Sequence, residues 1–263
     1  MSMQTNLSGR LRNTSLPVSH GLLPLFEAVV NSLHSLEEVA ADSHSSGTIR
    51  VEIVRSNQGS LALPERNEAL ADIVGFKITD NGVGFNDVNI KSFKTLDTDH
   101  KVDKGCRGVG RLLWLKAFKT VKIESVYATE TGLSGRKFTF DANLGVKEPV
   151  EFQDNCTQRA TTVELQGFLD KYRAAAPKSI LPIAKSLLEH CLWYFVREGG
   201  SPSIIVCDGS EEINLDDLYE QYMHTAAFSE SIKIADKDFI LTHIKFRASS
   251  SKNHTLSFCA ANR

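Results

Sequence analysis

The sequence predicts a mixed α+β protein, because two hydrophobic periods alternate along the chain. One is helical: in "LLPLFEAVVNSLHSLEEVAA" Leu25, Val29, Leu33 and Leu36 fall on one face. The other has a period of two, in "TIRVEIV" (48–54), in "DIVGFKI" (72–78) and in four runs between 121 and 167.

Each element has its own signals. Ser19 can cap the first helix and Pro24 is tolerated only in a first turn, so the helix starts between them and runs to about Ala41. Residues 1–19 are polar and read as a mobile arm, and 55–71 as a polar loop. "NDVNIKSF" (86–93) is a short helix candidate. "KTLDTDHKVDKGCRGVG" (94–110) is charged and glycine-bearing, hence a loop, and "GRLLWLKAF" resumes the helical period. The strand-like runs are "VKIESVYA", "GRKFTFDA", "EPVEFQ" and "TTVELQG". Beyond about Lys171 the pattern changes. A long helix is expected over 178–198 with Pro182 near its first turn, then strands at 203–209, 231–236, 238–248 and 255–263. The expected divisions are an arm (1–19), a first domain (20–172) and the start of a second (173–263). The last strand stops at Arg263 without a closing segment, so a fragment of a larger protein is expected.

Composition narrows the function classes. The 263 residues are 41% hydrophobic and 24% charged, with net charge −2, which gives no global electrostatic case for nucleic acid or an anionic membrane. No apolar run approaches the ~20 residues of a membrane span, and the N-terminus lacks the apolar core of a signal peptide. Five scattered cysteines without a C-x-x-C pair read as reduced thiols in a cytoplasmic protein. Eight histidines without an H-x-x-x-H pair argue against zinc.

Four short stretches carry chemistry. Glu27 and Asn31 are four residues apart on the first helix, inside the apolar "LFEAVVNSL". A carboxylate there needs a partner or a wet cleft, and an amide oxygen suits a hard cation such as Mg²⁺. The bland alternative is a polar stripe facing solvent. "TDNGVGF" puts Asp80, Gly82 and Gly84 directly behind a strand, which alone reads as a turn. "GCRGVGR" places Gly105, Gly108 and Gly110 as G-x-x-G-x-G before a helix. Glycines there let the backbone approach phosphate oxygens, although a plain flexible loop is the commoner meaning. It follows no strand and is no P-loop. Lys104 and Arg107 are candidates for phosphate contact, against ordinary solvated cations. In "ATTVELQG", Thr161 and Thr162 open a strand, where threonine is commonplace.

In this order, over residues 20–170, the four stretches resemble the GHKL superfamily of ATP-binding domains: DNA gyrase B subunits, ninety-kilodalton heat-shock chaperones, sensor histidine kinases and MutL proteins. "FEAVVNSL" looks like the N box, "DNGVGF" and "GCRGVGRL" the two glycine boxes, and "ATTVEL" the threonine strand, with Ala160 where many relatives carry glycine. The resemblance implies the Bergerat fold, a two-layer α/β sandwich with a mostly antiparallel sheet, followed by part of a transducer-like domain. It implies ATP and Mg²⁺ as cofactors. Asp80 then accepts from the adenine amino group, Gly82 and Gly84 let the backbone approach the base, and Thr161 joins that contact. Asn31 ligates Mg²⁺, and Glu27 orients or deprotonates the attacking water. Residues 94–110, with Gly105, Gly108, Val109 and Gly110, form the lid over the phosphates.

The expected activity is Mg-dependent ATP binding and slow hydrolysis, driving lid closure and pairing of ATP-bound protomers within a larger protein. Alternatives are a nucleotide-gated interaction module without turnover and histidine-kinase phosphotransfer. Glu27, and the absence of a phosphoacceptor hairpin in the roughly 20 residues before the helix, disfavour the kinase. Two departures stand out. His34 occupies the place where MutL-like helices carry an acid, and the γ-phosphate lysine that relatives supply from the following domain has no identified counterpart. The closing "LSFCAANR" is similar to a transducer strand that often ends N-G-R. DNA as a partner has no support in the sequence.

Overall fold

The computed structural model describes residues 6–39, 47–56, 70–95, 110–153, 156–197 and 199–246. Chain order begins with α1 (Leu7–Asn13), a 3₁₀ turn (Val18–His20), α2 (Leu23–Glu37), β1 (Thr48–Arg55) and β2 (Ile73–Asp80). Next come α3 (Asp87–Lys94), α4 (Gly110–Ala117), β3 (Phe118–Thr129), β4 (Gly132–Asp141), β5 (Gly145–Val146), β6 (Val150–Phe152) and β7 (Ala160–Phe168). The remainder is α5 (Asp170–Arg173), α6 (Ile180–His190), α7 (Leu192–Val196), β8 (Ser203–Asp208), β9 (Glu211–Asn214), α8 (Leu215–Tyr222), β10 (Met223–Ile234) and β11 (Lys237–Phe246).

The protein is mixed α/β with a mostly antiparallel sheet, ordered β5-β4-β3-β7-β2-β1-β8-β9 with β6 alongside β4. Only the β1–β8 pair is parallel among the described strands. Strand alternation sorts the side chains into two faces. Val51, Phe76, Ile78, Val163, Leu165, Val121, Ile123, Phe138 and Phe140 are buried together on one face. The opposite face carries Glu52, Lys77, Glu164, Lys122, Glu124 and Lys137, with ion pairs Lys77–Glu52 (3.3 Å) and Lys137–Glu124 (3.2 Å). One face therefore holds the core and the other is polar, as expected when helices cover a single side.

Helix α2 packs on α4, β1 and β2, burying Leu25, Ala28, Val29, Leu33 and Leu36. Pro24 sits in its first turn, where its missing N–H costs nothing. The helix ends at Glu37, earlier than Ala41. Several elements differ from expectation. Residues 7–13, expected within a polar arm, form α1: Asn6 accepts from the Gly9 N–H (3.1 Å), Leu11 is buried, and Lys116 Nζ donates to the Leu11 carbonyl (3.0 Å). The single helix expected over 178–198 breaks at Cys191, whose ψ of 8° leaves the helical range, giving α6 and α7. The short β5, α5, β9 and α8 had no recognised signal, and β10 starts at Met223, ahead of the strand expected over 231–236.

The sheet and core also continue past the expected division at 172/173. Strand β8 adds parallel to β1, with Ile204 beside Ile49 and Val206 beside Val51, and the same core takes in Ile183, Leu187, Tyr194, Leu215 and Leu218. A separate two-stranded sheet, β10–β11, begins only at Met223. Among the described residues no helix is long and apolar enough to cross a membrane.

Candidate functional site

The register of the central strands sets one polar row into the buried face. Asp80 on β2 lies opposite Thr161 on β7, Thr161 opposite Ser125 on β3, and Ser125 opposite Arg136 on β4. Cross-strand partners share a face, so these four side chains lie among the apolar residues under the helices. Asp80 and Thr161 are each 4% exposed and Ser125 is 0% exposed. The Asp80 carboxylate accepts from Ser32 Oγ (2.8 Å) and from the Gly82 N–H (2.9 Å). Buried carboxylates persist as acceptors of such bonds.

The turn after β2 is held from several elements at once. The Val83 N–H donates to the Ser35 carbonyl (3.1 Å) and the Gly84 N–H to Ser35 Oγ (3.4 Å). Asn89 Nδ2 donates to the Gly84 carbonyl (2.8 Å). The Phe85 N–H donates to Ser125 Oγ (2.9 Å), while its carbonyl accepts from Arg136 Nη1 (2.8 Å). Gly82 is required because a Cβ there would collide with the Ser35 backbone and side chain. Gly84 has φ +75°, and a Cβ would lie 2.7 Å from Ser125 Oγ and 3.3 Å from Thr161 Oγ1. The fixed turn keeps Gly84 close against both hydroxyls of the row.

The α2 side of the site differs between its two candidates. Glu27 is buried and Asn31, one turn on, is exposed. Gly110, the first residue of α4, faces Glu27, and a Cβ at 110 would strike the Glu27 carboxylate. The last glycine of the G-x-x-G-x-G stretch thus meets the acid of the E-x-x-x-N pair. Lys104, Gly105, Arg107, Gly108 and Val109 lie outside the described residues, as do Cys106 and the 255–263 strand. Among the described residues no group of three or more His, Cys, Asp or Glu is placed to hold a metal.

His34, at the position where an acid is usual in MutL-like helices, is fully buried, with Nε2 3.1 Å from the Tyr194 hydroxyl. Beside it Arg197 pairs with Glu37 at 2.7 Å, so the end of α2 is tied to α7. Arg111, next to Gly110, donates through Nη2 to the Thr95 carbonyl (2.6 Å) and lies over the Phe93 ring. Burial lowers its pKa to about 10, which leaves it charged at neutral pH.

Sequence reasoning passed over Ser32, Ser35, Ser125 and Arg136. Ser125 had a readable signal: in "VKIESVYA" it occupies an inward position in step with Val121, Ile123 and Tyr127. No protein-family model matches the chain, and a search of curated proteins finds no significant match.

Proposed function

We propose that this site binds ATP with Mg²⁺ and hydrolyses it slowly. The observation that carries the reading is the buried Asp80 carboxylate, in register with Thr161 and hydrogen-bonded by the helix that also bears Glu27 and Asn31. A buried, acceptor-only group flanked by a hydroxyl suits a base edge that offers an amino donor beside a ring-nitrogen acceptor, as adenine does. Gly84 lets the backbone itself come up against both hydroxyls, where a Cβ would lie 2.7 Å from Ser125 Oγ.

Glu27 would take a proton from the attacking water as its oxygen bonds to the terminal phosphorus and ADP departs. Its carboxylate is buried against Gly110, which holds it away from bulk solvent. Asn31, with phosphate oxygens and water, would hold the cation, which supplies charge neutralisation on the phosphates when bound. The resemblance further implies that ATP-bound protomers pair, which light scattering with a non-hydrolysable analogue would reveal.

The test is a melting curve with ATP and Mg²⁺ alongside phosphate release. Ligand at 100 times its dissociation constant stabilises by about 2.7 kcal/mol. An unchanged melting curve removes nucleotide binding. Binding with turnover no greater than that of Glu27→Ala removes hydrolysis and leaves a nucleotide-gated module.

A further inference from the structure

Ser125 has no place in the chemistry above, yet it is the most buried polar member of the row. Among the described residues its oxygen meets two partners, the Phe85 N–H at 2.9 Å and Thr161 Oγ1 at 2.8 Å. The amide can only donate, so it occupies one lone pair of Ser125. The Ser125 proton then has a single acceptor, Thr161 Oγ1. Were Thr161 to donate instead, Ser125 would keep an unsatisfied O–H at 0% exposure, a loss of about 1–3 kcal/mol. The alternative leaves the spare proton on Thr161, which stands opposite Asp80 in the strand register. The bonds therefore run one way, from Phe85 N–H to Ser125 O–H to Thr161 O–H, each donor strengthening the next.

We propose that Ser125 is a positioning residue that fixes the Thr161 hydroxyl as a donor toward the bound base, and so sets base specificity. The inference rests on the adenine reading and deepens it. A donor at Thr161 in direct contact suits the N1 acceptor of adenine and opposes the N1–H of guanine. Asp80 reads the exocyclic group, and the Ser125–Thr161 pair reads the ring nitrogen beside it. Without Ser125 the Thr161 hydroxyl turns freely and accepts as readily as it donates. The signature is loss of discrimination at one ring atom rather than a general loss of affinity.

The experiment compares ATP with 1-deaza-ATP, which keeps the amino group and shape but replaces N1 by C–H, using calorimetric binding with Mg²⁺. Wild type should bind 1-deaza-ATP roughly ten-fold more weakly than ATP. In Ser125→Ala the gap should shrink to about three-fold or less, with GTP gaining relative to ATP. Ser125→Cys, with a weaker donor in nearly the same place, should fall between and serves if Ser125→Ala does not fold. Equal weakening of both ligands in the variants, or a wild type that binds ATP without noticing N1, overturns the role of Ser125 alone. A wild type that binds neither ligand instead overturns the nucleotide reading itself.

Discussion

The polar row at the centre of the sheet and the β10–β11 hairpin come from the same two-residue alternation, yet they end in opposite environments. In the row, Asp80, Thr161 and Ser125 lie buried, and the bonds Ser32–Asp80, Phe85–Ser125 and Ser125–Thr161 tie different parts of the chain together. In the hairpin, Phe228, Phe239 and Ile240 are exposed, and the side-chain contacts Ser229–Thr242 and Glu230–His243 join the two strands to each other. A two-stranded ribbon whose large apolar side chains stand exposed gains little from burial. Alternation states which residues share a face. Packing decides whether that face becomes an interior, and only an interior can give a hydroxyl or a carboxylate a single orientation.

The most severe test of this contrast is chemical. Glu27→Gln should lower phosphate release by about 10²–10⁴-fold while ATP binding stays within about three-fold, read by phosphate assay and calorimetry. Gly110→Ala should reproduce much of that loss, since its new Cβ displaces the same carboxylate. Asp80→Asn comes next, with ATP affinity falling by roughly 10–100-fold, because part of a buried acceptor becomes a donor. If Asp80→Asn binds ATP as tightly as wild type, the row has no claim on the base. Tyr194→Phe removes the hydroxyl facing His34 and should cost about 1 kcal/mol in chemical denaturation without changing nucleotide affinity. Smallest of all, Phe228→Ser should alter the denaturation midpoint by less than about 0.5 kcal/mol. A loss there as large as that of Tyr194→Phe would mean the hairpin is packed against something, and the contrast would fail.

The same contrast explains what was legible in the sequence. Strand β2 through Asp80, helix α3 and strand β7 all showed, because each carries apolar residues at its own period, while α2 starts between Ser19 and Pro24 as Pro24 suggests, although Ser19 lies in the 3₁₀ turn and does not cap it. The pairing of Glu27 with Gly110 could be expected only from the order of motifs, since 83 positions separate them along the chain and neither residue signals the other locally. Helix α1 was hidden: its seven residues offer two leucines, and its stability comes from Leu11 packing near α4 and the Lys116 bond. Cys191 gave no warning of a break, because no proline or glycine marks it. Ser32 looks like an ordinary small polar residue until helix placement brings it to Asp80, whereas the inward position of Ser125 was readable but its partner Thr161 was not.

Strand β8 completes the neighbourhood of β1, and Tyr194 with Arg197 closes over the end of α2 only when residues some 160 positions downstream have arrived. During synthesis, the helix bearing Glu27 and Asn31 leaves the ribosome early and must wait, with His34 lacking its Tyr194 partner, for some 160 further residues to emerge. A nascent chain halted at residue 172 should consequently remain loosely assembled around a half-built cleft, and the competence to hold a nucleotide should arise late and abruptly.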